Sequence, residues 1–302
     1  MPRTATLLHD VFPEATLSEQ YLDWLYVRNP NGLVIEANLD EDDLRLGHYA
    51  VVPQRYGSGT GEERMFALSL NTAVAEAARG RGLFVSLADA AYEIAAGDRG
   101  VSAIVGVANA NSTPGFLRRL NFRDLGAMPV RGALHVPRRP KGVDSFAATP
   151  DFLQSAEFAD IADRISVHEA HGWQRLWDTD ELRWRLSAPG ASYAVHADES
   201  LLGISTRTTA SGLPFAVLLK FLELGKQTNT SARRLTSAAC AFHKTPLAIY
   251  AGYNDRVTFR GLPLPHKILP SPLNMIFRSL SPEIDQETAD IVTLEFLDFD
   301  AY

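Results

Sequence analysis

The sequence predicts an α/β fold in two domains, each built on a mixed sheet. Three observations predict it. The chain has 302 residues and 46% apolar content, enough for two domains with a sizeable core. Its first half runs helix, strands, glycine-rich turn, helix, strand, helix. Its second half echoes that order, with strands at 192–197, 201–206 and 215–222, a helix at 231–242, and strands at 247–251 and 291–297. No residue-level repeat accompanies the shared order, so a duplication rests on element order alone.

The elements follow from local pattern. Tyr21, Leu22, Trp24 and Leu25 recur at helical spacing across 18–27. Pro30-Asn31-Gly32 is a turn, 33–37 a strand, and 40–43 an acidic, solvated turn. Strand 47–55 leads into the flexible loop Gly57-Ser58-Gly59-Thr60-Gly61. Residues 65–70 form a strand that continues through Asn71-Thr72-Ala73-Val74 to Ala78-Arg79-Gly80-Arg81-Gly82-Leu83-Phe84, and 85–95 is helical. Residues 100–107, rich in Val and Ile, read as a buried strand. The stretch Asn111-Ser112-Thr113-Pro114-Gly115-Phe116 starts a helix, with Asn111 or Ser112 able to cap it and Pro114 in its first turn. Asn121 can close that helix in the left-handed conformation. Residues 136–150 look like a linker, 151–169 are helical or irregular, and 180–186 form a helix carrying Trp184.

The turn at 78–84 carries chemistry. Glycines let backbone N–H groups crowd an anion, a helix N-terminus adds partial positive charge, and two arginines add full charges. It lacks the Gly-Lys-Ser/Thr ending of a Walker loop and the G-x-G-x-x-G spacing of a dinucleotide fingerprint. The net charge of −7 and the pI near 5.6 argue against a nucleic-acid partner. The single cysteine, Cys240, rules out an intrachain disulfide and reads as a small buried residue. With no signal-peptide pattern and no apolar run of transmembrane length, the expectation is a cytoplasmic protein with no membrane partner.

The order strand, Arg79-Gly80-Arg81-Gly82, helix resembles the acyl-CoA pyrophosphate loop of the GCN5-related N-acetyltransferase (GNAT) superfamily, whose pattern is Gln/Arg-x-x-Gly-x-Gly/Ala. Arg79 takes the first position and Gly82 the fourth, while Phe84 departs from the small residue of the last. The stretch from Asn111 to Asn121-Phe122 resembles the superfamily's other signature. The resemblance implies tandem GNAT-like domains, each a mixed, mostly antiparallel sheet flanked by helices: 1–140 with the acyl-CoA site, and 141–302 a degenerate copy shaping the acceptor pocket. It implies acetyl-CoA or another acyl-CoA as co-substrate, with no metal. Thr72, Ala73 and Val74 would meet the pantetheine arm. The N–H groups of Arg79, Gly80, Arg81, Gly82, Leu83 and Phe84 would hold the pyrophosphate. Asn111 and Phe116 would complete the site.

The tyrosine that many members use as general acid falls at Leu117, so the proton for the departing thiolate must come from elsewhere. The base for the amine is expected at His48, which has the right intrinsic pKa, or at Glu36 at a similar height. Either residue also reads as an ordinary sheet side chain satisfied by a neighbour.

The second half, with Asp180-Glu181-Leu182-Arg183-Trp184-Arg185, Pro189, Tyr193, Pro272-Leu273-Asn274 and the closing 298–302, resembles tandem GNAT proteins encoded with polysaccharide biosynthesis. That implies a small-molecule amine acceptor, with a nucleotide-linked amino sugar as the candidate and a homodimer as an open option. Asp298 and Asp300 would face the amine or lie in a solvated tail. In the second half, 225–230, with Lys226 and no arginine cradle, takes the place of the glycine turn, so a second copy should not bind CoA in the same way. Weaker candidates are Arg233-Arg234 for a phosphate and His168-Glu169-Ala170-His171, whose spacing misses the zinc motif. Trp173, Trp177 and Trp184 read as core, and Arg138-Arg139-Pro140-Lys141 as solvated. The rival functions are a non-catalytic CoA-binding module and an aminoacyl-tRNA-dependent transferase, the latter disfavoured by the acidic charge.

Overall fold

The computed structural model describes the chain except residues 16, 167–170, 211, 226–229, 266–271 and 300–302. In chain order the elements are α1 (Pro2–Val11), α2 (Glu19–Tyr26), β1 (Ile35–Glu41), β2 (Leu44–Ser58), β3 (Glu63–Val74), α3 (Leu83–Gly97), β4 (Val101–Ala108), α4 (Thr113–Arg119) and β5 (Arg123–Ala127). There follow β6 (Val130–Leu134), β7 (Asp144–Ala147), α5 (Pro150–Leu153), α6 (Ala156–Ala162), β8 (Trp173–Arg175), α7 (Thr179–Leu186), β9 (Ala194–Ala197), β10 (Leu201–Ala210) and β11 (Leu213–Glu223). The remainder is β12 (Thr230–Ser231), α8 (Arg233–Phe242), β13 (Leu247–Asn254), β14 (Val257–Thr258), β15 (Leu262–Pro263), β16 (Asn274–Ser279) and β17 (Ile291–Glu295).

Two compact units emerge, and a single cut at 140 does not separate them. The first unit holds 1–56, 63–127 and 272–289; the second holds 57–62, 128–271 and 290–302. The reason is pairing of distant segments. Strand β16 lies between β4 and β5, antiparallel to both, so a segment near residue 275 belongs to the first sheet.

In the first unit, β1 and β2 form an antiparallel hairpin from Ile35↔Val51 to Glu41↔Leu44. Strands β2 and β3 are neighbours and antiparallel: Ser58 N donates to Glu62 O near one end and Ala75 N to Leu46 O near the other. Helix α3 then carries the chain over to β4, which runs parallel to β3. That crossover forces β4 under the helix, and all but one of its residues are buried. Helix α3 buries Leu87, Ala88, Ala91, Tyr92 and Ala95, one face of a 3.6-residue repeat, against Tyr49, Val51, Ala67 and Ile104. The neighbouring helix α4 ends at Asn121, whose φ is 52°, as its sequence position suggests.

The second unit has the same frame. Strands β9, β10 and β11 form antiparallel neighbours, and α8 crosses over to β13, which runs parallel to β11 from Ala216↔Ala248 to Leu218↔Tyr250. Strand β6 flanks β13 and β7 flanks β9. The expected linker at 136–150 therefore contains a strand, β7, short enough to hide among Pro and charged residues. Helix α1 and strands β5, β6 and β16 are further elements that sequence pattern did not reveal. Cys240 is buried in the α8 core, and Trp173 and Trp177 are buried elsewhere in the second unit.

Candidate functional site

Strands β3 and β4 share a parallel ladder that ends at Ser69↔Gly106. Beyond it β4 continues beside β16, through Val107↔Met275 to Ala108↔Asn274. Strand β3 instead runs on through Leu70–Val74 next to β2, so the two strands fork. At the mouth stands Asn71 with φ of 52°, a left-handed conformation that few non-glycine residues adopt. The backbone of β3 therefore turns directly before Thr72, Ala73 and Val74. Ala73 is buried; Thr72 and Val74 are half-buried.

The chain leaves the fork by a short 3-10 turn, Glu76–Ala78, and reaches the arginine–glycine segment. Gly80 (φ 81°) and Gly82 (φ 76°) are left-handed, and a Cβ on either would meet no atom within 4 Å. Backbone sign, not space, calls for glycine at both positions. Gly82 is the N-cap of α3, and Val85 and Ser86 N–H groups turn back to its carbonyl at 3.1 and 3.3 Å. Leu83 and Phe84 occupy the first turn, where helix geometry supplies no internal acceptor for the amides. Arg79 is exposed. Arg81 pairs with Glu41 at 2.5 Å on the surface, and this carboxylate raises its pKa.

The bulky Phe84 is accommodated by a gap elsewhere. Its ring lies 5.2 Å from that of Phe116, edge to face. A Cβ on Gly115 would come within 3.1 Å of it, so the missing side chain at 115 makes room for the ring at 84. Phe116 itself is a core residue and Leu117 packs beside it. In the loop before α4, Asn109 does the organising: its Oδ1 accepts from Asn111 N and Ser112 N, both at 3.0 Å. The side chain of Asn111 is exposed, and Ser112, the N-cap, makes no side-chain cap bond. Asn109 carried the Asx-turn signal but was overlooked beside its neighbours.

His48 is fully buried, and this corrects the expectation of a base open to substrate. Its Nδ1 lies 2.7 Å from Asn38 Oδ1 and its Nε2 2.9 Å from Tyr26 Oη. With Nδ1 donating to Asn38, Nε2 accepts the tyrosine proton. Burial, helped by the positive charge of Arg45, pulls the imidazole down to about 3, so it stays neutral at physiological pH. Glu36, with its side chain about one-third exposed, stands 3.7 Å from Nδ1. Asn71 Nδ2 donates to the same Tyr26 Oη at 2.9 Å, so the imidazole is connected to the left-handed residue of β3.

On the opposite face of β2 the neighbouring residue builds a second network. The Tyr49 hydroxyl bonds Ser69 Oγ at 2.7 Å and also Tyr92 Oη. Burial pushes Tyr49 up to about 12. Arg278, from β16, stacks 4.7 Å from the Tyr92 ring.

In the second unit, Asp298 is fully buried and holds Lys220 Nζ at 2.7 Å, while Trp177 Nε1 donates to it at 3.2 Å. It is neither a solvated tail residue nor open to an amine. Arg234 bonds the Lys141 and Gly142 carbonyls and pairs with Asp198. Asp300, Lys226, His168 and Glu169 lie outside the described residues.

No protein-family model matches the sequence, and no curated protein is significantly similar to it. Solved structures do match. A GCN5-related N-acetyltransferase from Anabaena variabilis aligns with a TM-score of 0.59 at 12% identity, over 92% of this chain and 70% of that one. A probable N-acyltransferase from Enterococcus faecalis aligns at 0.58 and 14% identity, over 92% and 70%. A tandem GNAT protein from the clavulanic acid biosynthesis pathway aligns at 0.53 and 11% identity, over 92% and 93%. The fold is the GNAT fold. Within it, the β3–β4 fork and the glycine turn into α3 lie side by side in the first unit, where the two sequence signatures fall.

Proposed function

We propose that the protein is an acyl-CoA-dependent N-acyltransferase, moving an acetyl or other short acyl group to a primary amine. The observation that carries this reading is the continuity of the fork with the cradle: Thr72–Val74 lead, through the short turn Glu76–Ala78, to left-handed Gly80 and Gly82 at the N-terminus of α3. The residues fit the donor. Amides of 79–84 suit a pyrophosphate, and Arg79 adds a charge from the exposed side. Strand residues that have left their ladder suit the amide groups of a pantetheine arm.

The thioester supplies the activated acyl group. The amine nitrogen forms the new bond to the acyl carbon, and the carbon–sulfur bond breaks. Because His48 is enclosed, the amine proton is assigned to Glu36, the partly exposed carboxylate beside it, through water. The thiolate takes its proton from solvent, which its ordinary pKa near 8.5 allows without an acid at Leu117. The acceptor class is a primary amine, and the second-half texture favours an amino sugar on a nucleotide.

Calorimetric titration with CoA and acetyl-CoA, followed by a turnover screen over amines, tests this. Binding with transfer to an amine is expected. Binding without transfer to any amine would leave the non-catalytic CoA module in its place, and no binding would remove the cradle assignment.

A further inference from the structure

One buried chain of side chains ends on the fork without opening to it. Asn38 Oδ1, the His48 ring, Tyr26 Oη and Asn71 Nδ2 follow one another at 2.7, 2.9 and 2.9 Å. His48 and Tyr26 show no exposed surface, and their rings are also stacked with centroids 5.9 Å apart. The chain crosses three elements of the first unit: β1 through Asn38, β2 through His48 and α2 through Tyr26. It terminates on the one left-handed residue of β3, with φ of 52°.

Asparagine adopts the left-handed conformation more readily than other non-glycine residues, though less freely than glycine, and its side-chain amide gives the surroundings a handle by which to hold it. Asn71 has one side-chain donor on the Tyr26 hydroxyl, and that hydroxyl is aimed by the imidazole behind it. The imidazole is aimed in turn by Asn38. We infer that Tyr26 and His48 are positioning residues: through Asn71 they hold the left-handed turn of β3 that sets the direction of Thr72–Val74 along the fork. The group nearest the fork is thus an amide that neither gives nor takes a proton, which separates this chain from a proton relay. If the fork holds an acyl donor, as proposed above, the clamp governs how well the donor is oriented for transfer.

The test pairs Tyr26→Phe, which removes one hydroxyl and keeps the ring, with Asn71→Gly, which reaches the same φ without a clamp. In the ligand-free protein, amide hydrogen exchange at 72–74 is expected to speed up in Tyr26→Phe while the α3 core stays protected. In turnover, Tyr26→Phe is expected to lose about 10- to 100-fold in kcat, the scale of a small misplacement. The double variant Tyr26→Phe/Asn71→Gly should recover most of that loss, because glycine needs no clamp. No recovery, with exchange at 72–74 unchanged by Tyr26→Phe, would overturn the inference. So would a pH–rate limb that disappears in His48→Gln while acetyl-CoA binding stays intact, since that is the mark of a base. If the wild-type protein binds no acyl-CoA, the exchange measurement still decides for or against the clamp, and the failure then belongs to the proposed activity.

Discussion

The two units share a frame and treat its fork in opposite ways. In each, antiparallel strands lead to a parallel pair joined by a helix, and the parallel ladder stops early, at Ser69↔Gly106 in one and Leu218↔Tyr250 in the other. In the first unit the strand beyond the ladder leads to glycines and an exposed arginine. In the second, the space is filled by the protein's own side chains. Glu295 Oε1 takes the Phe221 N–H at 3.3 Å and the Tyr250 hydroxyl at 2.9 Å, and Asn254 Nδ2 reaches Glu295 Oε2 at 3.2 Å. Lys220 Nζ bridges Glu295 and Asp298 at 3.0 and 2.7 Å. Gly252 leaves room for this plug, since a Cβ there would lie 2.7 Å from Glu295 Cγ. A strand fork exposes backbone amides that must be satisfied by something. One unit keeps polar groups of its own for the task, and the other is proposed to reserve the place for a ligand.

The sharpest way to break this contrast is Lys220→Met. It leaves two buried carboxylates facing each other, and a stability loss of about 3–5 kcal/mol is expected. Chemical denaturation followed by Trp177 fluorescence measures it, and a loss below about 1 kcal/mol would mean the plug is not ionic at neutral pH.

Acid separates the units next. His48 in the first is held near 3 by burial, and His196 and His243 in the second are held at about 3 and 4, burial again being the main cause. A histidine whose folded pKa lies below its unfolded value contributes stability that is complete above about 6.5. That contribution shrinks as pH falls toward the folded pKa. Hydrogen exchange from pH 7 to pH 4 should therefore show both units loosening, the second more, because among its described residues His135, like His196 and His243, is also lowered by burial.

Gly82→Val comes third. The α3 N-cap needs φ of 76°, which a β-branched residue reaches only at a cost of about 1–3 kcal/mol, so CoA affinity is expected to fall at least tenfold. The same change at Gly225 in the second unit, which also has positive φ, should leave CoA binding unchanged. The smallest effects concern single carboxylates. Glu41→Gln frees Arg81 and should tighten CoA binding by a few-fold, the scale of an exposed pair. Glu223, raised to about 7 by burial, contributes stability that is present at low pH and lost as pH rises through 7. Glu223→Gln should accordingly flatten the thermal-stability profile between about pH 4.5 and 7.

Much of the first unit was legible because its signals are local. The glycine turn, the Val- and Ile-rich strand β4 and the left-handed Asn121 each sit within a few residues of what they determine. The burial of His48 was not legible, because its cause is distant. Strand order places His48 at the right height, but only the packing of α2 shows that Tyr26 covers it. Asn71 and Tyr26 are 45 positions apart, and no window of sequence joins them. Strand β7 was lost among residues with turn composition, and β16 could not be assigned to the first sheet because its partners lie more than 140 residues earlier. In the second unit Asp298 read as facing an amine or lying in a solvated tail, and nothing in the expected strands 215–222 and 291–297 marked Lys220 and Glu295 as its buried partners, since charge in a sequence carries no mark of its partner.

The placement of β16 has a consequence for how the protein is made. Strand β5 leaves the ribosome roughly 150 residues before β16 follows. At 5–20 residues per second, that is about 8–30 s during which β4 and β5 have no strand between them. For that interval the nascent first unit has an unfilled slot in its sheet, open to chaperones or to strands of other nascent chains.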